Sequence, residues 1–390
     1  GRAGEAACQA HSLEHAHGGQ AWHSAHHIPQ KHRFPALGAV RIMPAVKCVA
    51  ACVFLMLASK ITICQCASRF SMMPSTARQS WRRDGRNDVD YIRFGATGLK
   101  TSRLCMGTMG IGSSAWKGWV LDADKSVPIL KAALDAGITF YDMADWYSTG
   151  VNEEVVAGTL TKLTHRDNLV LATKAFYPMS ADANDQGLSR KHLFRSIDRS
   201  LQRMGTDYVD LYIVHAFDPD TPIEETMCAF NDIVRSGRAR YIGASTMYAW
   251  QFAKMNAVAE KNGWTRFVNM QCQYSLLYRE EEREMMPYCQ SEGIAVTTFS
   301  PLARGYLVGG GSAARKEFDP FLDFFGDEID REIAARVVHL AQQRGLSPSQ
   351  VAQAWVLSTG NSTVPIFGAD HPDQVRDAIA ALAITFSPEE

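Results

Sequence analysis

The chain predicts an α/β fold closed into a (β/α)8 TIM barrel, and two observations carry that expectation. From about residue 100 onward, short β-branched or apolar runs alternate with longer segments of helical period, which is the pattern of repeated βα units around a parallel sheet. Chemically active side chains also fall at the ends of several of those runs, where barrels of this kind keep their active residues.

Taken in order, the expected strands are Arg103 to Met109, Thr139 to Ala144, Leu169 to Lys174, Val209 to His215, Tyr241 to Ser245, Phe267 to Gln271, Ala295 to Ser300 and Thr363 to Phe367. Eight such units close a barrel rather than an open sheet. The helices between them carry their own signals. Ser189 caps a helix running to Met204 and Gly205 stops it; Thr221-Pro222 opens the next, with Glu224 and Glu225 in its positive first turn; Ser347-Pro348 starts another. The competing dinucleotide-binding sheet needs a Gly-x-Gly-x-x-Gly turn after its first strand. Gly107-Thr108-Met109-Gly110 is too short for one. The connection from Leu307 to Asp330, with Gly309-Gly310-Gly311 and Phe321 to Phe325, is long and irregular; it either covers a pocket or packs its aromatics on the barrel's flank.

Residues 1–85 are set apart as an N-terminal extension. His11, His15, His17, His23, His26, His27 and His32 crowd its start, and no acidic residue lies between Glu14 and Asp84. Met43 is the first methionine, so residues 1–42 read as a leader outside the native protein. After Lys47 comes the apolar run Val49 to Leu57, then small residues to Ser68, the order of a secretory signal. That run is about nine residues long, against roughly 20 for a membrane-spanning helix, so no stable span is expected. The Ser/Arg-rich stretch to Arg83 resembles a transit peptide. The expected location is cytoplasmic by default, or a plastid if residues 43–83 are a targeting sequence.

Of 390 residues, 46% are hydrophobic and 21% charged, a composition that suits a folded core. Forty basic against 41 acidic residues leave a formal charge of -1, which gives no field to draw nucleic acid. The cysteines are scattered, unlike a disulfide framework or a zinc site, so no metal is expected. Cys105, Cys228, Cys272 and Cys289 read as small buried thiols.

The catalytic expectation rests on Asp142, Tyr147, Lys174 and His215, spread over three successive strand ends. A phenol with an ordinary pKa of about 10 is a poor acid, and a neighbouring ammonium lowers that value toward working pH. Lys174 supplies the charge to Tyr147, Asp142 holds and balances the lysine, and His215 orients a substrate oxygen. The partner is thus a small carbonyl compound.

With this order of residues the chain resembles the aldo-keto reductase superfamily over residues 90–390. The resemblance includes an opening N-terminal β-hairpin from Tyr91 to Leu99, the four residues above, Gly237 to Ser245, and Phe299 to Gly305. Thr221 to Thr226 and Tyr278 to Glu284 are similar to the branch of YajO-type reductases and potassium-channel beta subunits. The resemblance implies NADPH across the barrel mouth, with NADH as the second candidate. Gly107, Thr108 and Met109 would lie beside the cofactor, Ser245, Thr246 and Gln271 would meet the carboxamide, and Phe299 would stack on the nicotinamide ring. Ser300, Leu302, Arg304 and Gly305 would hold the pyrophosphate.

The family grips the 2′-phosphate near Gly368, Asp370 and Gln374. Gln374 fits, whereas Asp370 and Asp373 oppose an anion, and Asp370 is placed to cap the last helix in its stead. Thr246 stands where the family has Asn. The end at Ser387-Pro388-Glu389-Glu390 reads as the first turn of an unfinished helix, that is, a truncated C-terminus. The leading expectation is reduction of an aldehyde or ketone, with Tyr147 as the acid. The alternatives are a nucleotide-sensing binding subunit with little turnover and a sugar-phosphate rearrangement. Oligomeric state and physiological substrate stay open.

Overall fold

The eight expected runs each hold a strand of one closed parallel barrel in the computed structural model of the chain, which describes residues 89–309, 319, 322, 324–360 and 363–390. The chain divides between Gln79 and Ser80, and every described residue follows that division. The histidine tract, the signal-like run and the transit-like stretch lie outside the described residues.

A two-stranded antiparallel hairpin comes first, β1 Tyr91–Arg93 and β2 Lys100–Ser102. The barrel follows as β3 Cys105–Gly107, β4 Phe140–Asp142, β5 Val170–Ala175, β6 Val209–Val214, β7 Ala239–Ser245, β8 Asn269–Gln273, β9 Ala295–Phe299 and β10 Thr363–Phe367, with β10 closing between β9 and β3. Around it run α1 Ala123–Asp135, α2 Val151–Leu163, α3 Arg190–Met204, α4 Ile223–Arg235, α5 Ala249–Asn262, α6 Met285–Glu292, the pair α7 Glu328–Arg344 and α8 Pro348–Ser358 after β9, and α9 Pro372–Ala380.

The helix ends obey local chemistry. Ser189 Oγ accepts from the His192 N–H at the start of α3, and Gly205, at φ 64°, ends it. Ser347 and Gln350 form a reciprocal capping box ahead of Pro348. At α4, however, Pro222 occupies the cap position without a side-chain bond, because the Thr221 hydroxyl donates to Asp218 instead (2.7 Å).

Side chains alternate across each strand. One parity points outward and packs under the helices, as Met106, Tyr141, Leu171, Tyr212, Val214, Ile242, Ala244, Met270 and Phe367 do in the larger core cluster. The other fills the barrel's interior with Cys105, Phe140, Val170, Ala172, Leu211, Ile213, Ala295, Val364 and Ile366. Phe94, at the hairpin's turn, belongs to this inner cluster, fully buried and edge-on to Phe140 at 5.6 Å. The hairpin thereby stoppers the N-terminal end of the barrel. Gly95 is required there: its φ is 59°, and a Cβ would lie 2.5 Å from the Gly293 carbonyl oxygen.

Cys105, Cys272 and Cys289 are buried thiols as expected, while Cys228 is only half-buried. Of the connection from Leu307 to Asp330, Phe325 packs against Tyr306 and Phe324 is exposed; Gly310, Gly311 and Phe321 lie outside the described residues. Among the described residues no helix is long and apolar enough to cross a membrane.

Candidate active site

The inward parity of the strands continues upward into polar residues. Asp142 stands two positions above Phe140, Lys174 two above Ala172, His215 two above Ile213, and Gln271 two above Asn269. On β4, β5 and β6 an apolar lower layer and a polar top layer thus share the inward face, on β8 Gln271 stands above the buried polar Asn269, and these top residues converge.

Lys174 is fully buried. Its Nζ donates to Asp142 Oδ2 at 2.7 Å, to the Met143 carbonyl at 2.8 Å and to the Tyr147 hydroxyl at 3.1 Å, which uses all three ammonium protons. Asp142 Oδ1 accepts from Gln271 Nε2 at 3.0 Å. The Thr108 hydroxyl donates to the Asp142 main-chain carbonyl at 2.8 Å, and Asn152 holds the Thr108 and Ile111 carbonyls from behind. The His215 ring lies edge-on to Tyr147, with centroids 5.8 Å apart, and to Tyr177 at 4.8 Å. The four residues expected from the sequence therefore meet at one point.

Their electrostatics differ in one respect from expectation. Burial works against the Lys174 ammonium, but Asp142 and Tyr147 outweigh it and hold its pKa above the ordinary lysine value. Burial likewise acts first on Tyr147 and raises its phenol pKa; Lys174 pulls it back only in part, and Asp142 pushes the other way. The expected lowering by Lys174 is present, but the net direction is upward, because the hydroxyl is closed off from water. Burial, then the Lys174 charge, depresses His215 well below the usual imidazole value, so the ring is neutral. Its buried Nδ1 has no hydrogen-bond partner.

The residues expected around a cofactor are placed unevenly. Ser245, buried, shares a 3.1 Å hydrogen bond with Thr246, and Phe299 is half-exposed at its strand end. Gly107 sits against Ile366, and Thr108 is buried with its hydroxyl already engaged, so only Met109 of those three is a partly exposed side chain. Thr246 adopts φ 50°, a conformation awkward for a β-branched residue and easier for Asn. Ser300, Ala303, Arg304 and Gly305 all have positive φ, so the loop after β9 turns its backbone through an unusual concave path. Within it Leu302 is half-buried, and Arg304 is paired with Asp319 at 2.8 Å. Near β10, Gly368 and Asp370 are exposed, but Asp370 does not cap α9. His371 does, and the Gln374 side chain accepts from the Asp370 N–H at 2.8 Å. The competition expected from Asp370 thus comes from its charge alone.

Several residues at the mouth escaped the sequence reading. Trp116, Trp146 and Tyr177 form a run of ring contacts at 5.2 and 5.1 Å that leads to His215, with Lys117 above both tryptophans. Trp116 and Tyr177 come from separate loops, and nothing in their spacing says that they meet.

Residues 103–390 match the model of the aldo/keto reductase family. The versiconal hemiacetal acetate reductase of Aspergillus parasiticus is 39% identical over 327 residues, covering 77% of this chain and 95% of that protein. An aldo-keto reductase of Metarhizium robertsii is 38% identical over 332 residues (77% and 89%), and one of Alternaria alternata is 38% identical over 335 residues (77% and 89%). With a parallel eight-stranded barrel and reductases as relatives, the chain is an oxidoreductase enzyme of the barrel class. It belongs to the aldo/keto reductase family, whose members generally use NAD(P)H. The narrower resemblance to the YajO-type and channel beta-subunit branch is carried by sequence motifs alone.

Proposed function

We propose that the protein reduces an aldehyde or ketone at the expense of NADPH, with NADH as the second candidate, and with Tyr147 as the general acid. The observation that carries this reading is the buried hydroxyl of Tyr147 within 3.1 Å of a charged Lys174 and beside a neutral His215. A phenol held protonated can give its proton to a carbonyl oxygen as negative charge builds there, and the ammonium next to it stabilises the phenolate left behind. Neutral His215 offers a ring nitrogen to the same oxygen and fixes its position. Asp142 keeps Lys174 charged and aimed.

The strand-end residues fit a nicotinamide cofactor. Ser245 and Gln271 would hold its carboxamide, Phe299 would cover a face of the ring, and the positive-φ loop of Ser300, Leu302, Arg304 and Gly305 would turn N–H groups and a guanidinium toward the pyrophosphate. The chemistry a bound cofactor supplies is hydride to the carbonyl carbon. Trp116, Trp146 and Tyr177 form an apolar wall on the substrate side, which favours exclusion of water.

The test is loss of NADPH absorbance with a panel of aldehydes and ketones, with NADPH and NADH titrated in parallel. Tyr147→Phe should retain NADPH binding and lose turnover by about 10²-fold or more. Parental turnover in Tyr147→Phe rejects the mechanism; tight binding of NADPH without turnover of any carbonyl points instead to a binding subunit.

A further inference from the structure

Behind the Tyr147–Lys174 contact lies a second buried polar layer that no step of the proposed reaction uses. Tyr147 is followed by three residues in the left-handed region, Ser148 at φ 49°, Thr149 at 51° and Gly150 at 93°. Residues with a Cβ resist that conformation, and a run of them persists only where its surroundings impose it.

The surroundings here are specific. Ser148 Oγ accepts from the Ser113 N–H at 3.2 Å, and Gly112 makes room for it, since a Cβ on that glycine would fall 2.4 Å from the oxygen. Gly150 lies against the Arg203 side chain, whose Nε and Cδ are each 2.7 Å from where a Cβ would stand. Arg203 Nε donates to Glu153 Oε2 at 2.6 Å. Glu153 is fully enclosed in the first turn of α2, and its second oxygen accepts from Thr173 at 2.5 Å, the residue next to Lys174. Ser196, on α3 like Arg203, donates to Asp145 at 2.7 Å, and the Asp145 N–H donates to the Lys174 carbonyl at 3.2 Å. One helix thus grips the chain two residues before Tyr147 and three after it, while Glu153 ties the same grip to the strand that bears Lys174.

From this juxtaposition we infer that Arg203 and Glu153 are a positioning pair that sets the Tyr147 hydroxyl against Lys174. This inference rests on the general-acid reading and adds to it the device that holds the acid in place. A tyrosine on a loop otherwise samples rotations that break a 3.1 Å contact, and small displacements of a reacting group are costly in rate. A merely structural ion pair would lower stability and cofactor binding together; a positioning pair lowers turnover while leaving cofactor affinity alone.

The experiment uses the whole chain and compares the parent with Arg203→Ala, Arg203→Lys, Tyr147→Phe and the Arg203→Ala/Tyr147→Phe double variant. Turnover is read by NADPH oxidation with excess aldehyde, and NADPH affinity by fluorescence titration. Arg203→Ala is expected to lower kcat on the order of tenfold to a hundredfold, with NADPH affinity within about a factor of two. Added to Tyr147→Phe it should lower the residual rate no further. A cavity of about 560 Å3, lined in part by Thr149, Gln202 and Arg203, opens onto the back of this turn, so guanidinium ion should restore part of the lost turnover.

Unchanged kcat in folded Arg203→Ala, or an equal further loss on top of Tyr147→Phe, overturns the inference. Where Arg203→Ala does not fold, Arg203→Lys decides: reduced kcat at parental NADPH affinity supports the pair, and parental kcat overturns it. Tyr147→Phe with parental turnover overturns the general-acid reading and this one with it. An inactive Tyr147→Phe beside a fully active Arg203→Ala overturns this one alone.

Discussion

Lys174 Nζ lies 2.7 Å from Asp142 Oδ2, with the lysine side chain fully shielded from solvent and the aspartate 5% exposed. Two charges so enclosed are stable only as a pair, because either one alone would lack both water and a counter-charge. The site is therefore built around a bond whose loss is costly in folding and, on the proposed mechanism, in chemistry as well.

Lys174→Met should show both losses. It leaves Asp142 buried with Gln271 as its side-chain donor, for a destabilisation of about 3–5 kcal/mol, seen as a lowered midpoint in thermal or urea unfolding. Adding Asp142→Asn removes the stranded charge and should recover most of that stability. Turnover should stay low in both proteins, since neither has an ammonium beside Tyr147; recovery of activity in the double variant would contradict the role given to Lys174.

On the proposed mechanism, the pH dependence of turnover follows from Tyr147 and His215. Burial holds the phenol pKa above its ordinary value and the imidazole pKa well below its own, so neither group changes charge near neutrality. Initial rates under saturating NADPH should be flat from about pH 6.5 to about pH 10, the interval between the ordinary histidine and tyrosine values, and a rate that halves near the usual histidine pKa would place a charged imidazole in the cycle. For stability the sign runs toward acid: a depressed His215 pKa means that the unfolded chain binds the proton more readily, so stability is lost as pH falls below about 6.5.

Asp145 offers the opposite sign. Burial first, then Glu153, raises its carboxyl pKa to about 7, and one of its oxygens has no partner. The folded chain thus holds a proton that the unfolded chain has released. The stability this contributes is present at low pH and drains away as pH rises from about 4 through 7. Asp145→Asn keeps an acceptor for Ser196 and carries no charge, so it should stabilise the protein at pH 8 by as much as about 4 kcal/mol and much less at pH 5. Unfolding midpoints at the two values check this; equal shifts would mean that the carboxyl is not titrating.

The barrel was legible because its eight strands are short, largely apolar runs, several of them closed by a polar residue such as Asp142, His215 or Ser245, and because Ser189, Gly205 and Ser347-Pro348 mark helix ends with local chemistry alone. Asp142, Tyr147, Lys174 and His215 were legible for the same reason, as exceptions in apolar text. Arg203, Glu153 and Asp145 were not. Each is a charged residue in or beside a helix, indistinguishable from a solvated surface group until the fold turns it inward. Thr221 and Asp370 misled in a complementary way, since both have the chemistry of a cap, yet Thr221 finds a better acceptor in Asp218 and His371 stands nearer the helix. The direction of the Tyr147 shift also escaped, because a neighbour's charge can be read from residue identity whereas the depth of burial cannot.

Phe94 stops the floor of the barrel, so among the described residues the way to the strand-end site is from the opposite mouth. In the proposed complex the dinucleotide would lie deeper and the carbonyl compound above it. In that complex traffic would be last in, first out: the alcohol product would leave before the spent dinucleotide, and each round would end with the departure of the larger guest.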